Sequence, residues 1–285
     1  MQSSKENLYL RVNVKRLHSR KSGMNELIVG CYQMAVLPGD VDGNLAKLEK
    51  VMSVIKNEEC QLVVFPEMWS GGFVSSALQE MAEYTPTILE KMKEWAVRYR
   101  MVLVGSLPEA EGGKIFNTSY VVESNGDVAG KYRKIHLFSL TGEPDQFERG
   151  RVPVVCETSV GRLGVEICYD LRFPELSRRL ALDGAEILCF SALWPVPRIA
   201  HWSLLLRSRA VENQLFVMGC NGCGTEGTTQ YGGASAIVSP VGTLLAEAQH
   251  GEEILIAKLN PAEMQDFRRH IPCFSDRLPG SYKIV

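Results

Sequence analysis

The sequence predicts a single α/β layered domain, and three observations predict it. Short, wholly apolar runs alternate with stretches whose apolar residues recur every three or four positions, the rhythm of βα units. Hydrophobic residues are 45% and charged residues 22% of the 285, the balance of an ordinary globular protein with material for one large core. No internal repeat, Pro/Ser-rich linker or low-complexity block divides the chain.

Taken in order, Leu27 to Val36 is a β-rich run. Asn44 to Lys56 carries Leu45, Leu48, Val51, Met52 and Ile55 at helical spacing. Leu62 to Phe65 is a fully apolar strand that stops at Pro66-Glu67. Leu78 to Arg100 reads as helix, broken at Pro86 because proline removes a helical N–H and clashes with the preceding turn. Met101 to Ser106 is a buried strand. Asn117 to Glu123 and Val128 to Lys134 flank Ser124-Asn-Gly-Asp127, a hairpin turn. Strands follow at Ala185–Ser191, Leu215–Cys220, Gly233–Val238, Thr243–Glu247 and Glu253–Leu259, with a helix over Arg198–Asn213.

Between these lies Val160 to Glu175. Leu163, Val165 and Ile167 alternate with Gly164 and Glu166, the period of a strand, and Cys168 arrives where it stops. A helix then begins around Pro174 and ends before Gly184. A thiol on a strand-to-helix corner sits near backbone N–H groups and the positive helix end, which favour thiolate.

Composition excludes several classes. A net charge of −2 leaves no nucleic-acid footprint, and no apolar run reaches the roughly 18 residues of a membrane span. Eight scattered cysteines read as reduced thiols, which places the protein in the cytoplasm. Residues 1–23 are basic, with Lys5, Arg11, Lys15, Arg16, Arg20 and Lys21 against Glu6. They are expected to be a disordered extension, a transit segment being the alternative, with the globular domain spanning 24–285.

In α/β sheets reactive groups gather beyond the carboxyl ends of strands. Glu67, Lys134 and Cys168 each stand at such a position. A carboxylate can take the thiol proton and return it to a leaving amine. An ammonium, with the backbone N–H of Tyr169, can hold a tetrahedral oxyanion. Together they supply what acyl transfer from an amide requires. Gly222-Cys-Gly-Thr-Glu-Gly227 matches a dinucleotide fingerprint, but turn- and strand-like residues follow it instead of a helix, so it is set aside. Asn117-Thr-Ser119 fits a glycosylation sequon that the compartment argues against using.

Pro66-Glu-Met-Trp69, Tyr132-Arg-Lys-Ile-His-Leu-Phe138 and Gly164-Val-Glu-Ile-Cys-Tyr-Asp-Leu-Arg-Phe-Pro-Glu175 resemble, in order and separation, the three signature stretches of the nitrilase (carbon–nitrogen hydrolase) superfamily. The likeness runs from about Leu27 to Phe274. It implies a four-layer α-β-β-α sandwich, a Glu67–Lys134–Cys168 triad, no metal or organic cofactor, and a homodimer or higher homo-oligomer. It also implies a second glutamate, for which Glu143 is the best match and Glu148 the fallback. The stretches 168–175, 192–202, 207–214 and 271–274 look most like the ω-amidase branch, which hydrolyses the terminal amide of 2-oxoglutaramate and 2-oxosuccinamate through a thioester. A substrate carboxylate then needs a cation, for which Arg172 is the first candidate and Arg198 the second; an ion pair bracing the corner is the other reading of Arg172. Trp194 is expected to wall the acyl pocket. Rival readings are an N-carbamoyl amino acid amidohydrolase of the β-ureidopropionase kind, another aliphatic amidase, a true nitrilase, and a glutaminase module feeding ammonia to a partner synthetase.

Overall fold

A computed structural model describes residues 11–14 and 26–281. Its elements run β1 (Arg11–Val14), β2 (Leu27–Gln33), α1 (Val41–Asn57), β3 (Leu62–Val64), α2 (Leu78–Tyr99), β4 (Val102–Glu111), β5 (Lys114–Val122) and β6 (Val128–Arg133). They continue with α3 (Glu143–Gln146), β7 (Val155–Thr158), β8 (Gly161–Ile167), α4 (Pro174–Leu182), β9 (Ile187–Ala192), α5 (Ile199–Asn213) and β10 (Phe216–Asn221). The chain closes with β11 (Cys223–Glu226), β12 (Thr229–Gly232), β13 (Ala236–Val238), β14 (Leu244–Glu247), β15 (Glu253–Leu259) and α6 (Pro261–His270).

Two mixed sheets form, in the orders β1-β15-β2-β3-β4-β5-β6 and β14-β13-β10-β9-β8-β7. The parallel centre of the first is β2-β3-β4 and that of the second is β8-β9-β10. Strand alternation makes the layers. Leu62 and Val64 point into the core shared by the two sheets, whereas Val63 between them packs under α1 and α2. Val102 and Val104 against Leu103 repeat the pattern, as do Leu255 and Ala257 against Ile254 and Ile256. On the second sheet α4 packs over β8 and α5 over β10. The result is the expected four-layer α-β-β-α sandwich.

Several local expectations are met and some are corrected. Asp40 caps α1, its side chain accepting from Gly43 N at 2.9 Å, and the predicted stripe Leu48, Val51, Met52 and Ile55 is the buried face. Pro86 does not break α2, which continues through it. The proline sits on the exposed face, while Met81, Ala82, Thr85, Ile88, Met92 and Trp95 are buried. That continuous apolar face outweighs one lost backbone hydrogen bond. The glycine-rich stretch near 222–227 is the hairpin β11–β12, with no helix to receive a pyrophosphate. Of the basic extension, residues 11–14 form an edge strand parallel to Glu253–Ile256. The expectation of disorder for the rest of it falls outside the described residues. Among the described residues, no helix is long and apolar enough to cross a membrane.

The loop after β6 is pinned to its strand by backbone contact. Gly150 N donates to Lys134 O at 2.8 Å, and a Cβ on Gly150 would lie 2.0 Å from Arg133 O. Gly150→Ala therefore forces the loop off the strand that carries Lys134 and is expected to lower unfolding free energy by about 1–3 kcal/mol in a urea titration. An unchanged midpoint would show that the loop is not held there.

Candidate active site

Four corners converge on one point. The first follows β3, whose apolar run ends at Phe65; Glu67 is fully buried and Met68 turns the chain with φ of 47°. Ser106 on β4 holds this corner, its Oγ accepting from Met68 N at 2.8 Å. The second corner follows β6, where Lys134 still pairs with β5 through its N–H to Asn117 O at 2.9 Å. Its side chain is also fully buried. The third is Glu143, which opens α3 and is anchored by Phe138 N donating to its Oε2 at 3.0 Å.

The fourth is Cys168, which closes β8 with φ of 46°, the left-handed region that non-glycine residues rarely occupy. The five-residue turn Cys168–Arg172 follows, and then α4 with Pro174 at its start. Asp170 fixes this turn. Its Oδ2 accepts from Ile167 N at 3.0 Å and from the Tyr132 hydroxyl at 2.8 Å. Its Oδ1 accepts from His136 N at 3.0 Å and meets His136 Nδ1 at 2.7 Å. One buried carboxylate thus ties the cysteine corner to the two residues flanking Lys134 in the pattern Tyr132-Arg-Lys-Ile-His136. The His136 ring completes the clamp by stacking on Phe173 at 3.7 Å.

At the meeting point Lys134 Nζ contacts Glu67 Oε1 at 2.8 Å and Glu143 Oε2 at 2.8 Å. Glu67 is held from both sides. Asn117 Nδ2 donates to its Oε1 at 2.8 Å, and Leu193 N donates to its Oε2 at 3.0 Å. Those last two donors come from different sheets, so the carboxylate bridges the sandwich. Burial alone would lower the lysine pKa. The charges of Glu67 and then Glu143 overcome this and hold it well above its ordinary value, so the ammonium is permanent.

Cys168 behaves in the opposite sense to the thiolate expectation. Burial pushes its pKa up, Glu67 adds to the rise, and Lys134 only partly opposes them. Burial is the largest of these, and the one nearby ammonium does not offset it together with the carboxylates. The resting group is a neutral thiol, with Glu67 the carboxylate that acts on it most. Attack on a carbon must then be accompanied by proton transfer to that carboxylate.

The sulfur opens into a cavity of about 440 Å³ that Glu67, Glu143, Tyr169 and Leu193 also line. Trp194 lines one wall of this cavity, buried against Trp202 with its Nε1 donating to Arg198 O at 2.8 Å. Arg172 and Arg198 stand at this cavity too, the former over the Trp194 ring at 4.6 Å and the latter over Phe138 at 5.6 Å. Among the described residues neither has an acid partner, so the ion-pair reading of Arg172 does not hold. Glu148 lies outside the site, half-exposed and paired with Lys114. Asn117 and Asp170 are further members of the site that carry no local sequence signal for it. Asn117 opens a sequon, but its burial against Glu67 leaves it out of reach of glycosylation.

The comparisons with known proteins agree with this geometry. A family profile described as carbon-nitrogen hydrolase matches residues 28–269. A Staphylococcus lugdunensis protein named hydrolase in agr operon is 36% identical over 81% of this chain and all of its own length. A 2-oxoglutaramate amidase of Bacillus subtilis is 32% identical, covering 87% of this chain and 96% of its own. The crystal structure of Saccharomyces cerevisiae Nit3, described as a member of branch 10 of the nitrilase superfamily, superposes with a TM-score of 0.81 at 32% identity. That match covers 87% of this chain and 94% of the yeast one. With four corners closing on one buried cluster and the profile spanning nearly the whole domain, the chain belongs to the carbon–nitrogen hydrolase family. It is an enzyme that acts on carbon–nitrogen bonds other than peptide bonds.

The state of the sulfur can be read directly. Glu67→Gln removes the carboxylate that raises the Cys168 pKa while leaving Lys134, so the thiol should ionise at lower pH. Iodoacetamide labelling of Cys168, followed by peptide mass spectrometry across pH, should show its midpoint move down. A midpoint that stays or rises would mean that Glu67 does not face the sulfur.

Proposed function

We propose that the enzyme is an ω-amidase, hydrolysing the terminal amide of 2-oxoglutaramate and 2-oxosuccinamate to the 2-oxo dicarboxylate and ammonia. The observation that carries this reading is the pair of arginines at the cavity with no acid of their own among the described residues. Two uncompensated guanidinium groups beside an amide-cleaving centre suit a substrate whose far end is a carboxylate, which Arg can hold bidentately. The likeness to a 2-oxoglutaramate amidase supports the same choice.

In the proposed cycle the Cys168 sulfur attacks the amide carbon as its proton passes to Glu67. The oxyanion is held by the Lys134 ammonium and by the backbone N–H of Tyr169. Collapse breaks the carbon–nitrogen bond, and ammonia leaves with the proton from Glu67. Glu67 then draws a proton from water as its oxygen attacks the thioester, and the thiol is regenerated as the acid departs. Glu143 keeps Lys134 charged and aimed, since an ammonium buried against one carboxylate alone has less to offset its desolvation.

A panel of amides measures the assignment. Ammonia release should be greatest with 2-oxoglutaramate and 2-oxosuccinamate, and lower with glutamine, N-carbamoyl-β-alanine and a simple aliphatic nitrile. Preference for the carbamoyl compound would move the enzyme to a carbamoyl amidohydrolase, and preference for glutamine to a glutaminase module. Cys168→Ala should abolish turnover, whereas Cys223→Ala, buried on β11, should retain it. Arg172→Ala should raise KM for the oxo-amides roughly thirtyfold, the loss of about 2 kcal/mol expected for a charge-assisted contact. An unchanged KM would remove Arg172 from the site.

A further inference from the structure

Arg172 lies flat over one wall of the cavity, its guanidinium carbon 4.6 Å from the Trp194 ring centroid. Its Nη1 and Nη2 both approach a single atom, His201 Nδ1, at 3.4 and 3.5 Å. His201 stands in the first turn of α5. A guanidinium carries five N–H groups and no acceptor, so Nδ1 must present its lone pair and the ring proton must sit on Nε2. Each contact is long for a hydrogen bond and weak singly. Their value is directional, because one acceptor shared between two terminal nitrogens fixes the way the fork points.

Nothing else among the described residues is placed to do this. Arg172 has no acid partner, and the charge of Arg198 acts on it unfavourably. A half-buried arginine with a like charge nearby and about 2 kcal/mol of rotamer entropy would swing towards water unless held. Trp194 offers a surface to lie on but no donor or acceptor that selects a direction, since its indole N–H is spent on Arg198 O.

We propose that His201 is a positioning residue: it holds the Arg172 fork against Trp194 so that the fork meets a substrate carboxylate, and so sets the preference for acid-bearing over neutral amides. The proposal rests on the reading of Arg172 as the carboxylate anchor. His201 acts through Arg172 and touches no reacting atom.

Steady-state kinetics with 2-oxoglutaramate and with valeramide, a neutral amide of equal chain length, test it. His201→Ala and His201→Phe should raise KM for 2-oxoglutaramate about fivefold with little change in kcat, the size of one ordinary hydrogen bond. Valeramide kinetics should hardly move, which also serves as the folding control. His201→Asn should restore most of the loss, because its amide oxygen falls near the position of Nδ1. Equal losses on both substrates, a fall confined to kcat, or no rescue by asparagine would overturn the proposal. A wild-type enzyme that does not favour 2-oxoglutaramate over valeramide would overturn the anchor reading, and the proposal with it. A preference that survives all three variants would overturn the proposal alone.

Discussion

A fully buried ammonium lies between two carboxylates at the centre of this molecule, and much of the architecture exists to make that arrangement tolerable. Taking such ions out of water costs several kcal/mol each, and removing one partner from a buried pair typically costs about 3–5 kcal/mol. Lys134 is satisfied only because Glu67 and Glu143 approach it at 2.8 Å from the ends of different elements. Glu67 in turn needs Asn117 from the first sheet and Leu193 N from the second. The cluster therefore acts as a rivet between sheets as well as a reactive centre. A disturbance of the sandwich is felt at once in the geometry around Cys168.

The charge balance of this rivet also sets the chemistry. Burial and the charge of Glu67, only partly opposed by Lys134, keep the resting thiol protonated. A permanently ionised thiolate would be exposed to oxidation and alkylation between turnovers. In the proposed cycle the nucleophile is generated only when Glu67 accepts the proton, and the same carboxylate delivers it to the leaving nitrogen. Lys134, whose own proton is held tightly, is suited to stabilising charge rather than to transferring protons.

What could be read from sequence follows from how locally each feature is determined. The central strands were legible because Leu62 to Phe65 and Leu163 to Ile167 announce themselves by their own residues. Glu67, Lys134 and Cys168 were legible because a polar group directly after such a run needs a reason to be there. Asn117 was not, since its role lies in a contact with Glu67 fifty residues away. Asp170 was hidden similarly, its partners being Tyr132 and His136 on another sheet's edge. The short strand Val155–Thr158 is half-exposed and has no clean alternation, and α2 ran through Pro86 because packing on the sheet decided against local propensity. Glu143 and Glu148 could be ranked but not separated by spacing alone. The turn that starts α3 turns the first towards Lys134 and leaves the second facing Lys114.

The same cavity holds Arg172 and Arg198, whose charge no acid among the described residues neutralises. The turn Cys168–Arg172 joins the buried cluster to these arginines, so the proposed chemistry and the proposed charge recognition sit at its two ends. In the proposed cycle an acyl group passes through the sulfur of Cys168. Rapid acid quench of enzyme mixed with 2-oxoglutaramate, followed by peptide mass spectrometry, measures this most directly. The Cys168 peptide should gain the mass of the substrate less ammonia, and the gain should vanish in Cys168→Ser or decay when hydroxylamine is added. Full ammonia release with that peptide unmodified at every quench time, or an adduct on another cysteine, would contradict that cycle.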